Sequence, residues 1–176
     1  MTNIEEIQIR PCNTQADRDW LIQLWQREWG GTTMVTCGVS HSLTDLEAFI
    51  AWEKNERVGA VTYRKDEDEA ELMSINAIVK GKGIGSKLLQ VLEEKLGKQG
   101  YRKLWLITTN DNLDALRFYQ CRGYRFVSIY PGAVDEARKV KQTIPLIGEY
   151  GIPLHDELKL EKVIDDDYTR ERDLKI

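Results

Sequence analysis

No stretch of this 176-residue chain approaches the ~20 consecutive apolar residues that a membrane-spanning helix needs. The opening MTNIEEIQIR also lacks the basic start and apolar run of a secretory leader, so a cytoplasmic protein without a membrane partner is expected. Cysteine is scarce: Cys12, Cys37 and Cys121 are an odd number with no C-x-x-C spacing, and a chain of this size does not depend on disulfide staples. Free thiols and no metal site are expected. A surplus of positive charge is missing too. Lys and Arg number 25 against 29 Asp and Glu, a net charge of −4, which offers no broad surface to nucleic acid.

What is present is enough apolar material, 41%, for one well-buried core. One domain is expected over residues 1–164, followed by a polar tail at 165–176 that has almost no apolar periodicity. The charge is unevenly spread. Residues 1–79 carry 7 basic and 14 acidic side chains, 80–141 carry 13 and 6, and 142–176 carry 5 and 9, giving −7, +7 and −4. The basic middle begins at a knot of glycine and lysine.

Along the chain, EIQIRPC (6–12) alternates like a strand. NTQADRDWLIQLWQREW (13–29) follows as a helix capped by Asn13 or Thr14, with Leu21, Leu24 and Trp25 on one stripe. TMVTCGV reads as one short strand, residues 42–66 as two strands turning at Asn55–Glu56, and EAELMSINAIV as another, together an antiparallel meander. Then Ile84, Leu88, Leu92 and Leu96 recur every four residues, KLWLIT (103–108) reads as a buried strand, and NLDALRFYQCRG (112–123) as a helix closed by Gly123. This β-α-β-α order implies a parallel pair inside a mixed α/β sheet. YRFVSIY and DELKLEKVI read as the last strands, GAVDEARKVK as a short helix, and QTIPLIGEYGIPLH as an ordered loop, a candidate lid.

The knot, Lys80-Gly81-Lys82-Gly83-Ile84-Gly85, joins a strand to the first turn of a helix. Such a loop lets backbone N–H groups converge where the helix dipole is positive, which suits phosphate oxygens, and Lys80, Lys82 and Lys87 add charge. It is not a P-loop, because Gly85-Ser86-Lys87 exchanges the lysine and the hydroxyl. Nor is it a dinucleotide fingerprint, because Ser86 stands where the third glycine belongs. It resembles the [Q/R]-x-x-G-x-[G/A] acyl-CoA signature of the GNAT superfamily of N-acyltransferases, with Lys80 in place of Gln or Arg. Downstream, NLDALRFYQCRGYRFV is similar to the family's N-x-x-A-x-x-[L/F]-Y-x-x-x-G-[F/Y] segment at Asn112, Ala115, Phe118, Tyr119, Gly123 and Tyr124. The resemblance covers roughly residues 6–130.

The resemblance implies a GNAT-like fold with antiparallel N-terminal strands, a central parallel pair and flanking helices. It implies acetyl-CoA as acyl donor, with Ala77, Ile78 and Val79 lining the pantetheine arm. Lys82, Gly83, Ile84, Gly85, Ser86 and Lys87 then hold the pyrophosphate, and Asn112 contacts the cofactor. An amine acceptor, small molecule or protein, attacks directly through a tetrahedral intermediate, whose oxyanion a strand amide near Ala77 or Ile78 stabilises. Tyr119 is the general acid by position, since a phenol is protonated at neutral pH. Without the family match, the same tyrosine reads as a core aromatic with its hydroxyl on a main-chain carbonyl.

The acceptor amine must lose a proton, for which Glu71 or Glu69 is the candidate base, although DEDEAE reads equally as an exposed acidic turn. His41 and His155 read as lone surface histidines. Tryptophans at 20, 25, 29 and 52 read as packing residues, and the segment WGGTTMVTCGVSH as a border of the acceptor pocket. The competing function is an acyl-CoA-binding sensor without turnover. Apolar strands at the end of the sheet leave a homodimer open.

Overall fold

Thr14 and Asp17 bracket the start of the first helix. The Thr14 hydroxyl accepts from the Asp17 amide at 3.1 Å, and Asp17 Oδ2 accepts from the Thr14 amide at 3.3 Å, so two orphan donors are satisfied reciprocally. The cap is therefore Thr14, and the helix is α1, Gln15–Trp29. The computed structural model describes residues 6–165, so the expected polar tail lies, Asp165 apart, outside the described residues.

The strands are β1 (Gln8–Pro11), β2 (Thr33–Thr36), β3 (Val39–Ser42), β4 (Glu47–Glu53), β5 (Glu56–Asp66), β6 (Glu69–Ala77), β7 (Lys103–Thr109), β8 (Arg125–Tyr130) and β9 (Glu157–Val163). Three further helices are α2 (Ile84–Lys98), α3 (Leu113–Gln120) and α4 (Ala133–Val140). Seven strands make a mixed sheet in the order β1-β4-β5-β6-β7-β9-β8, and β2 with β3 forms a separate hairpin. The described chain divides into two compact units, one of residues 6–24, 46–104 and 163–165, the other of 25–45 and 105–162. Among the described residues, no helix is long and apolar enough to cross a membrane.

In the first unit β1, β4, β5 and β6 pair antiparallel in succession, as the meander reading expects. The β4–β5 turn falls at Lys54–Asn55, one residue earlier than expected, with Lys54 at φ 57°. Helix α2 packs across β4, β5 and β6. Its four-residue stripe, Ile84, Leu88, Leu92 and Leu96, is at most 1% exposed, and each such side chain contributes about 1.5–3 kcal/mol relative to exposure. Gly59 makes this approach possible: a Cβ there would lie 2.6 Å from the Asn76 carbonyl oxygen and 2.8 Å from Ile84 Cγ2.

In the second unit the segment expected as one strand is the β2–β3 hairpin. Two consecutive positive φ angles, 47° at Cys37 and 75° at Gly38, reverse the chain in the middle of it. Strand β8 pairs antiparallel with β9. The loop between α4 and β9 is ordered, as expected. Leu154 donates to the Leu146 carbonyl at 2.9 Å and Gly148 to the Ile152 carbonyl at 2.8 Å. The Arg138 guanidinium gathers both ends of the loop, donating to the carbonyls of Ile144, Pro145 and Leu154 at 2.8–3.1 Å.

Candidate functional site

The knot begins where β6 stops. Ala77 is the last strand residue, two earlier than the apolar run suggests, because Ile78 and Val79 already bend towards the glycines. Gly81 and Gly83 have φ of 82° and 69°, a left-handed conformation that costs other residues about 1–2 kcal/mol. Gly83 is also the N-cap of α2, and it has no side chain with which to cap that helix. The first-turn amides of Ile84 and Gly85 have no intrahelical acceptor. A glycine nest opening onto an uncapped helix is a site for phosphate oxygens.

The lysines around it differ. The Lys82 ammonium sits 2.5 Å from Glu53 Oε1, and Lys87 donates to the Ile7 carbonyl. Lys80 is exposed and makes no hydrogen bond or ion pair among the described residues. Of the three, it is the lysine whose charge no protein group competes for.

Strand β6 carries a bulge. Tyr63 pairs with Leu72 but Thr62 pairs with Ser74, leaving Met73 as an extra residue. Bulges re-aim the chain beyond them. Just past it, Asn76 Oδ1 is buried without a hydrogen-bond partner. The two candidate bases precede the bulge. Glu71 is 1% exposed and takes the Arg64 Nε at 2.6 Å, while Glu69 faces Arg102 at 3.5 Å and Lys103 at 3.9 Å. Both carboxylates are ion-paired.

In the second unit, Asn112 caps α3 by accepting the Ala115 amide at 3.2 Å. Two turns on, Tyr119 is 4% exposed, with its ring edge-on to Phe118 at 5.1 Å and to Tyr124 at 5.4 Å. Its hydroxyl makes no hydrogen bond among the described residues, so the main-chain carbonyl anticipated for a purely structural tyrosine is not there. Burial pushes the phenol well above the usual tyrosine range, and the Arg122 charge offsets only part of this. Tyr119 is therefore a protonated donor with an uncommitted hydroxyl.

Three residues that matter here were not singled out from sequence. Asp111 accepts from the Thr109 hydroxyl and, at 2.8 Å, from the Glu149 amide, tying the loop to the turn before α3. Arg138 clamps that loop, and Glu157 is a buried acid at the start of β9. The N-D-N run at 110–112 was the available signal for Asp111. The histidine expectation changes for one residue: the His155 imidazole is half exposed but bound to Asp135 at 2.9 Å. Trp25 is fully buried, whereas Trp52 lies between the guanidinium groups of Arg10 and Arg57, 5.3 and 4.5 Å from its ring centroid.

Residues 4–124 match the Acetyltransferase (GNAT) family. Bacillus subtilis (strain 168) YdhI, an uncharacterized protein, is 38% identical over 154 residues, which cover 87% of this chain and 96% of YdhI. Among solved structures, the IAA acetyltransferase from Bacillus cereus ATCC 14579 shares the fold at a TM-score of 0.69 and 22% identity, over 90% of this chain and 99% of that one. A GNAT family acetyltransferase from Elizabethkingia anophelis with acetyl-CoA bound superimposes at a TM-score of 0.67 and 25% identity, over 89% of this chain and 97% of that one. With its signature segments and its fold in agreement, the chain belongs to the GNAT acetyltransferase family.

Proposed function

We propose that this protein is a cytoplasmic N-acetyltransferase, its domain taken as residues 1–164, that moves an acetyl group from acetyl-CoA to a primary amine. The observation that carries the reading is the uncapped N-terminus of α2 opening from the left-handed Gly81 and Gly83. In this reading the amides of residues 82–86 hold the pyrophosphate, with Lys80 as the free counter-charge, while the Lys87 amide, which donates to the Gly83 carbonyl at 3.0 Å, closes the first turn behind them. Backbone groups of Ala77, Ile78 and Val79 line the pantetheine arm, and Asn112 contacts the donor beside its capping role. The Ile78 amide donates to the Val58 carbonyl at 2.9 Å, which leaves an amide near Ala77 to stabilise the tetrahedral oxyanion, an effect worth roughly 3–4 kcal/mol for one well-aimed donor. Tyr119 protonates the departing thiolate. Glu71 takes the acceptor proton, directly or through water, after its hold on Arg64 is loosened.

The ion pairs of Glu71 and Glu69 favour a second reading, an acyl-CoA sensor without turnover. Thermal unfolding with CoA, acetyl-CoA, NAD and ATP separates the readings from a generic phosphate site. At a hundred times its dissociation constant a ligand adds about 2.7 kcal/mol, roughly 5–10 °C at this size. A shift confined to the CoA compounds supports the family reading, and thiol release with an amine panel then distinguishes enzyme from sensor. A larger shift with NAD or ATP overturns both.

A further inference from the structure

Two other buried carboxylates among the described residues pair with a cation, and a third takes two neutral donors. Asp17 has Arg57, Glu71 has Arg64, and Asp111 has a hydroxyl and an amide. Glu157 is different. At the first position of β9 it is 3% exposed, and among the described residues its side chain accepts one hydrogen bond, from the Cys37 amide to Oε2 at 2.8 Å. No cation among the described residues pairs with it. A single neutral donor does not offset the cost of taking a carboxylate out of water.

The neighbouring cations are committed elsewhere. Lys159, two residues along and hence on the same face of β9, holds its ammonium 4.2 Å from the Trp105 ring centroid. His155 faces Asp135. Lys141 donates to the carbonyls of Trp29 and Thr33. Arg138 holds Asp135 and three loop carbonyls.

The second oxygen of Glu157 accepts no hydrogen bond among the described residues. Among the described residues, the buried side-chain atoms left without a partner are Trp25 Nε1 and Asn76 Oδ1; Glu157 Oε1 is not one of them and so keeps some contact with solvent, although the residue as a whole is 3% exposed. Its companion oxygen is aligned by a strained turn, since Cys37 has a φ of 47°, unusual for a residue with a side chain. A carboxylate with one oxygen aligned by a single neutral donor and the other without a partner among the described residues suits a cation.

We propose that Glu157, aligned by the Cys37 amide, is an anionic subsite for an organic ammonium group. That this ligand is the acetyl acceptor, or a second ammonium on it, rests on the acetyltransferase reading; the binding itself does not. The test is titration calorimetry of 1,4-diaminobutane and spermidine into the CoA-saturated protein, with 1,4-butanediol as the uncharged control, for the wild type and Glu157→Gln. Glutamine keeps an acceptor for the Cys37 amide and removes the charge.

Both amines should bind the wild type, bind Glu157→Gln at least tenfold more weakly, and outcompete the diol in each. The melting temperature of ligand-free Glu157→Gln should equal or exceed that of the wild type. No amine binding to the wild type, equal binding to both proteins, or a marked fall in the variant's melting temperature overturns the subsite. CoA is titrated in the same series. If it fails to bind while the diamine binds, the acetyltransferase reading falls and the subsite stands.

Discussion

Gly148 and Asp111 are packed so closely that a Cβ on Gly148 would lie 2.0 Å from Asp111 Oδ2 and 2.9 Å from Asp111 Cβ. The glycine is required by this contact and not by its backbone, which is extended at φ −95°. Asp111 cannot swing aside cheaply, because its carboxylate is held by the Thr109 hydroxyl and the Glu149 amide. Gly148→Ala should therefore cost about 1–3 kcal/mol of stability, the range for overpacking. Removing the obstacle with Asp111→Ala should make the double variant clearly less destabilised than the sum of the singles, as expected for residues in contact. Additive losses in urea unfolding would show that the loop relieves the clash by moving as a whole.

Much of this fold is legible in the sequence because its longest elements obey one period each. The α2 stripe, the Asn112 cap and the ordered Ile-Pro-Leu loop all follow from local rules. The misreadings have local causes as well. Cys37-Gly38 makes a hairpin turn without the Asn-Gly or Asp-Gly pair that signals one, so β2 and β3 read as one strand.

Side-chain direction was less accessible. Sequence places Lys82 and Lys87 beside the knot, but only the fold brings Glu53 and the Ile7 carbonyl to them. Glu157 looked like one more polar position in an alternating strand. The donor to its carboxylate is the Cys37 amide, 120 residues away.

The Glu53–Lys82 pair gives a prediction for donor affinity. Glu53 occupies the ammonium that the proposed pyrophosphate site would use, so Glu53→Gln should tighten CoA binding about two- to fivefold, the scale of a part-exposed ion pair. Lys82→Ala should weaken it by a similar factor, and both effects should shrink at high salt. Titration calorimetry at two ionic strengths reads this directly. Unchanged affinity in both variants would mean that backbone amides alone carry the phosphate.

Tyr119 sets an expectation for pH. Burial favours the neutral phenol, so its pKa is raised and the acid form persists to higher pH than for a solvent-exposed tyrosine. The turnover rate should rise as the acceptor amine deprotonates and should show no falling limb near pH 10 from this residue. Tyr119→Phe should lower turnover ~10²–10⁴-fold while leaving CoA affinity within about twofold. A full-rate phenylalanine variant in a thiol-release assay would remove the tyrosine from the mechanism.

Asp17 should make the acid limb of stability steeper. It accepts two bonds from Arg57, at 2.8 and 2.9 Å, on one oxygen and the Thr14 amide on the other. Desolvation raises its pKa, but the Thr14 hydrogen bonds and the Arg57 pair outweigh it, so the folded-state pKa is lowered. For an acid whose folded pKa is depressed, the stabilisation is present above the unfolded value of about 3.9 and is lost as pH falls through the folded one. Asp17→Asn should therefore cost about 1–3 kcal/mol at pH 7, the penalty for a buried charged partner removed. The gap to the wild type should narrow below pH 4 as Asp17 itself takes up its proton. Urea midpoints at pH 7 and pH 3 test both parts: a gap of constant size would show that the carboxylate stays ionised across the whole range, or that its charge contributes nothing to the anchor between α1 and β5.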